Sequence, residues 1–390
     1  MLSLVFFTLL AGLFYTYLGY PAIIYFWGWW QNRGADSCRC RAEGPGSTPL
    51  QSMPMVSIIV AAHNEAASIG HRVRNLLSQD YPRDHAEVLV GCDGCTDGTV
   101  AAVPRETANA NIRVLDLPRQ GRAGVHNACA AAARGEILVF TDAATHFESH
   151  CLRQLLMPFS DPTVGCASGQ LVYTNTGRAG IAQSAGWYWR YELWLRRLES
   201  AAGSSVAVTG ACMALRKDLF RRLAPSDDID DAAPIDTLLA GRRVVFVPDA
   251  VAFDRLPDSS ASELAARQRM VTKNLAAILN RPRILLVHRY PEAAFKLISH
   301  RVMRYLSPFF LLGLFLTNAF LPNRPLFTLT WNLQLVFYGA ALVGLVADRL
   351  RWRLPVVSVA FAFCLANLGF LLGAWNIARC RSITLYEPIR

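Results

Sequence analysis

Four stretches without a charged residue limit what this chain can fold into: residues 1–32, 305–323, 325–347 and 354–378. Each is near or above the roughly 20 apolar residues that cross a bilayer. Between the first and the second lies a mixed polar segment long enough for one globular domain. The pattern predicts an integral membrane protein with a soluble domain inserted between hydrophobic blocks. Residues 1–32 lack a basic start, and their apolar run exceeds that of a signal peptide, so a retained span is expected. Trp27, Trp29 and Trp30 close it like an interfacial belt, followed by Arg33, Arg39 and Arg41. That charge bias places the soluble domain on the cytosolic side of the cell (inner) membrane.

Composition narrows the function classes. The formal net charge is +10, and arginines flanking the apolar blocks account for it as headgroup anchors. No basic stripe interleaves with aromatics, so nucleic acid is not an expected partner. The ten cysteines form no disulfide framework, as a reducing cytosol requires. Cys92 and Cys95 make a single C-x-x-C in an Asp/Gly turn, a weak signal for zinc or redox chemistry.

Residues 33–54 are rich in Gly, Pro, Ser and Arg and read as a linker. The soluble domain opens on 56–62, VSIIVAA, an apolar run typical of a buried parallel strand. Helical spacing follows at 69–78, then strands at 87–90 and 112–115, an alanine-rich helix at 123–133, and a strand at 137–141. Alternating strands and helices predict an α/β domain with a mainly parallel sheet.

Three loops follow three strand ends, and each carries a carboxylate: His63-Asn64-Glu65, then the turn around Asp93, then Asp142-Ala143-Ala144. In open α/β sheets ligands bind outside the carboxyl ends of the strands. There is no G-x-G-x-x-G after the first strand and no G-x-x-x-x-G-K-[ST], so dinucleotide and P-loop sites are disfavoured.

The series VSIIVAAHNEAASI, CDGCTDGT and GRAGVHNACAAAARGEILVFTDAATHF resembles the inverting family 2 glycosyltransferases of GT-A fold. It is most similar to their membrane-embedded branch, which includes hyaluronan and chitin-oligosaccharide synthases. The resemblance implies a GT-A domain over residues 55–280, an interfacial amphipathic segment at 281–304, about three hydrophobic helices over 305–378 and a tail at 379–390. It implies sugar transfer, with inversion, from a nucleotide sugar, expected to be a UDP-sugar, to a lipid or polysaccharide acceptor. A divalent metal, Mg2+ or Mn2+, is the implied cofactor.

The implied site residues follow the motifs. Ala61, Asn64, Glu65 and Asp93 line the nucleoside, Arg122 its base, Asp142 the metal or ribose, and Arg269 the diphosphate. Thr209-Gly210 occupies the acceptor-side turn, with Trp187 as an aromatic platform or a core residue. The acidic run 224–233 carries the general base: Asp230 fits its spacing best, with Asp231 the close rival. Two departures stand out. Ala144 sits where the family's second metal-binding carboxylate belongs, and His146 is either a replacement ligand or a structural residue. The Q-x-x-R-W motif reads Ala266-Arg267-Gln268-Arg269-Met270 and keeps only its arginine. These departures motivate a competing reading, a non-catalytic nucleotide-binding membrane scaffold of the same fold.

Overall fold

The computed structural model describes residues 1–35, 53–103, 111–175, 181–255, 259–321, 324–350, 352 and 354–379, so most of the expected linker and tail fall outside it. Its centre is an eight-stranded sheet, β1 Val56–Ala62, β2 Ala86–Asp93, β3 Ile112–Leu117, β4 Ile137–Asp142, β5 His146–Phe147, β6 Val164–Tyr173, β7 Met213–Arg216 and β8 Arg243–Asp254. The spatial order is β3-β2-β1-β4-β7-β6-β8-β5. Strands β1 to β4 pair in parallel, β7 runs antiparallel to β4 and β6, and β8 returns parallel to β6.

The unbroken apolar run of β1 is explained by cover on both faces. Ile58 and Val60 point into one hydrophobic layer, Ile59 into the other. On that second side the helix Gly121–Ala132 lies directly on β2: a Cβ at Gly91 would fall 2.4 Å from Val125. Register then aligns the strand ends. Ala61 stands beside Gly91 on β2 and beside Asp142 on β4, so the three loops open on one rim.

Of the other four strands, β6 is the strand that the sequence predicts over 164–173, and β5, β7 and β8 lie outside the sequence reading. β5 and β7 are too short to show a period. β8 is broken by an irregularity, its pairing with β6 passing from Val247 to Val251 across Pro248 and Asp249.

Among the described residues four helices are long and apolar enough to cross a membrane: Leu2–Gln31, Pro291–Ala319, Pro325–Arg349 and Val356–Ala378. The first two each contain a π-turn, Tyr15–Gly19 and Ile298–Val302, and the turns meet where Tyr15 Oη lies 2.7 Å from Ser299 Oγ. The polar residues of these helices join helix to helix: Ser307 donates to Asn367 Oδ1, and Asn318 contacts Thr330 and Gln334. Such contacts are the ordinary glue of apolar helix packing.

The structure departs from the expected interfacial helix over 291–304. Its charged side chains turn inward, onto the helix Ile181–Ala201. Lys296 is fully buried and donates to the carbonyls of Glu199, Ala202 and Ser204, capping the end of that helix. His300 lies between Glu199 (2.6 Å) and Glu192 (3.1 Å), and Arg304 donates to Glu192 at 2.6 Å. Tyr20, from the N-terminal helix, donates to the same Glu199 carboxylate at 2.6 Å. Besides Glu292 on the same helix, which pairs with Lys296, the acids facing this basic side are Glu192 and Glu199, two turns apart on one face of 181–201.

Candidate active site

The rim is built from backbone first. Asn64 adopts a left-handed conformation (φ 53°), and its Oδ1 accepts from Thr96 N at 2.8 Å, tying the first loop to the second. Glu65 accepts from Ser68 Oγ at 2.6 Å in the opening turn of the helix Ala66–Leu77. Asp93 is buried where β2 ends, and its carboxylate accepts from Gln120 N (2.7 Å), Gly121 N (3.0 Å) and Arg119 (2.9 Å). A carboxylate at a helix N-terminus is favoured by its orphan amides and dipole. Asp93 therefore fixes the start of the helix that carries Arg122.

Arg122 pairs with Asp142, and both side chains are partly exposed. Across from them, Asp230 lies in the first turn of the helix Ile229–Leu239. Gly210 is the hinge of the arrangement. A Cβ there would lie 3.2 Å from Asp230 Cγ and 3.4 Å from Arg122 Nη2, so Asp142, Arg122, Gly210 and Asp230 border one space. Thr209 N donates to Ser168 Oγ at 3.1 Å, which holds this turn. Gly210→Ala is expected to displace Asp230 from its rotamer at a cost of about 1 kcal/mol. That should appear as a fall of roughly five- to tenfold in kcat with an unchanged melting temperature.

The three acids of the 228–231 turn have different surroundings. Asp228 pairs with Lys273 at 3.1 Å and Asp231 with Arg301 at 3.3 Å. Asp231 is buried, and burial together with the neighbouring Asp230 charge raises its carboxyl well above the usual range. Asp230 is half-buried and, among the described residues, has no hydrogen bond or ion pair.

Lys273 was not among the expected site residues. Its signal was spacing: it lies one helical turn after Arg269 on the helix Ser260–Asn280. Arg269 is half-buried there, whereas Arg267 pairs with Glu263 and lies over the Tyr188 ring. His146 is exposed, with Nε2 3.3 Å from Asn75 Nδ2. The side chain of Trp187 lies outside the described residues; on the same helix, Tyr191 and Leu198 pack on Tyr20 and Ile24, and Trp194 is exposed.

The remaining features do not compete. A cavity of about 600 Å³ lies at the opposite rim, lined by Arg216, Lys217 and Arg242, but all three cations already donate to backbone carbonyls. Cys92 and Cys95 are free, and burial, with Cys95 alongside, pushes the Cys92 thiol up to about 12. His126, on the helix of Arg122, is buried edge-on to Phe140 with neither ring nitrogen partnered among the described residues. Burial, with the Arg122 and Lys273 charges, holds its pKa well below normal. Replacing it with leucine removes two orphaned polar atoms at similar volume. His126→Leu should stabilise the protein by about 1–3 kcal/mol, seen as a raised melting temperature.

A divalent cation was tested against the donor set. Among the described residues no group of three or more His, Cys, Asp or Glu side chains forms a metal cage. Mg2+ does not need one: it is commonly held by one or two carboxylates together with substrate phosphates. Asp142 at the rim fits that requirement.

Residues 57–224 match the model of Glycosyl transferase family 2. Over this segment the chain is similar to the family 2 glycosyltransferases. The chain is 26% identical to an N-acetylglucosaminyltransferase of Bradyrhizobium diazoefficiens, over 53% of its own length and 46% of the relative's. It is 31% identical to a beta-monoglucosyldiacylglycerol synthase of Synechocystis sp., over 33% of this chain and 28% of that one. The chain thus spans about half or less of the length of these curated relatives. In fold it is similar to a mannosyltransferase of Pyrobaculum calidifontis solved with GDP-Man and Mn2+, with a TM-score of 0.69 at 22% identity, covering 96% of this chain and 99% of that one. The chain has the α/β GT-A-like sheet expected of that family, and Asp142 and Gly210 both fall inside the matched segment.

Proposed function

We propose that the chain is an inverting glycosyltransferase that moves a sugar from a nucleoside diphosphate donor to a lipid-linked or growing polysaccharide acceptor at the cytosolic membrane face. The observation that carries this reading is the unpartnered, half-buried Asp230 carboxylate across Gly210 from the Arg122–Asp142 pair.

Asp230 is the general base. Its neighbours Asp228 and Asp231 are already engaged by Lys273 and Arg301, leaving Asp230 able to accept the proton of an acceptor hydroxyl. The hydroxyl oxygen forms a bond to the anomeric carbon as the bond to the diphosphate oxygen breaks on the opposite face. A positioned base typically contributes 10²–10⁴-fold. The departing diphosphate needs fixed positive charge, which commonly lowers the barrier more than the base does. Arg269 and Arg122 supply it, each with a planar fork matched to phosphate oxygens. Ala61, Asn64, Glu65 and Asp93 shape the nucleoside side of the rim, and Thr209-Gly210 the acceptor side. Asp142 holds a Mg2+ or Mn2+ ion, which adds Lewis-acid charge at the phosphates when bound.

A membrane-seated catalyst suits an acceptor that is itself in or passing through the bilayer, and the four apolar helices are long enough to hold it there. A UDP-sugar, N-acetylhexosaminyl or hexosyl, is the expected donor. The purified chain in detergent or nanodiscs should release nucleoside diphosphate from at least one of a panel of UDP- and GDP-sugars. Release from none, with Mg2+ or Mn2+ present, would instead support the non-catalytic scaffold that Ala144 motivates.

A further inference from the structure

Position 144 offers no carboxylate, yet the structure brings a second one to Asp142 from the far end of the fold. Strand β5 pairs antiparallel with β8, setting His146 against Phe253, so the turn after Asp142 lies beside the last residue of β8, Asp254. Thr145 joins the two acids. Its backbone N–H reaches the carbonyl oxygen of Asp142 (3.4 Å), and its Oγ1 donates to Asp254 Oδ2 (3.3 Å). The other Asp254 oxygen accepts from Arg255 N at 2.7 Å, an exposed bond at the rim. Asp254 lies within electrostatic reach of Asp142, and Arg72 is within reach of both.

Arg72 shows how this pair is supported from below. Its guanidinium is only 2% exposed, lies 4.2 Å over the Phe147 ring, and donates to Thr141 Oγ1 and Asn75 Oδ1. It bonds to neither acid and so occupies none of their oxygens. Two carboxylates, of which Asp142 is also paired with Arg122, are the kind of protein ligands that a hard divalent ion combines with phosphates.

We propose that Asp254 is the second protein ligand of the donor's divalent cation, doing with Asp142 what a carboxylate at position 144 would otherwise do. The assignment rests on the glycosyltransferase reading for its donor, but its test does not need turnover. The full chain in nanodiscs is titrated with Mn2+ in the presence of UDP and, separately, GDP, with free Mn2+ read by electron paramagnetic resonance. Asp254→Asn should weaken Mn2+ binding at least tenfold while the protein still melts cooperatively. Ala144→Asp in the Asp254→Asn background should restore most of the affinity, since it returns a carboxylate to the same space. Asp254→Asn binding Mn2+ as tightly as the wild type would overturn the assignment, as would Ala144→Asp failing to rescue a folded Asp254→Asn protein. If the wild type transfers sugar while Asp254→Asn keeps its Mn2+ affinity, the ligand assignment alone falls. If Mn2+ affinity depends on Asp254 but no nucleotide sugar is consumed, the ligand assignment stands and the glycosyltransferase reading falls.

Discussion

Asp230→Asn should abolish sugar transfer while leaving nucleoside diphosphate binding nearly unchanged. The substitution keeps size and shape, removes the charge and removes the proton acceptor. A lost general base costs about 10²–10⁴ in rate. Binding should survive because the proposed nucleoside and phosphate contacts lie on other elements, the loops after β1, β2 and β4 and the helix Ser260–Asn280. The two quantities are read separately, kcat by nucleoside diphosphate release and affinity by calorimetry with UDP or GDP. Asp231→Asn offers the contrast. Asp231 is committed to Arg301, so its loss should lower stability through an unpaired buried guanidinium more than it lowers kcat. Full activity in Asp230→Asn with loss in Asp231→Asn would exchange their roles.

Glu199→Ala is the second large expected effect, this time on stability. One buried carboxylate there accepts from Tyr20, His300, Ser205 Oγ and Val206 N, joining the N-terminal helix, the 291–319 helix and the catalytic domain. Removing it leaves these donors buried, with His300 retaining only Glu192. Breaking one partner of a buried ion pair typically costs about 3–5 kcal/mol. The melting temperature in detergent should fall by many degrees. Glu199→Gln, which keeps an acceptor oxygen, should fall less. A loss below about 1 kcal/mol would mean that this network does not join the helices to the domain.

The parts legible in sequence were those whose signal is local. Strands β1, β2 and β4 are buried on both faces, so each is a run of apolar residues bounded by turn residues, and the rim they end on follows from parallel order. Asp142 was visible for that reason, whereas the Thr209-Gly210 turn was marked by the family resemblance alone. The basic segment 291–304 was ambiguous, because the same spacing suits headgroups or an acidic partner helix. The deciding residues, Glu192 and Glu199, lie about a hundred positions away. Asp254 was hidden by an irregular strand, since the pairing that brings it to Asp142 depends on a two-residue strand, β5, with no period of its own. Lys273 carries only a spacing signal, one helical turn after Arg269, and its partner Asp228 is brought to it by the fold.

The most direct measurement is a density map of the full chain with a nucleotide sugar bound. The diphosphate is expected between Arg122 and Arg269 and the sugar over Gly210, its anomeric carbon facing the Asp230 carboxylate across a space that admits one hydroxyl group. Nucleotide density at any other part of the sheet, or a sugar ring turned away from Asp230, would contradict the assignment of this rim as the catalytic centre.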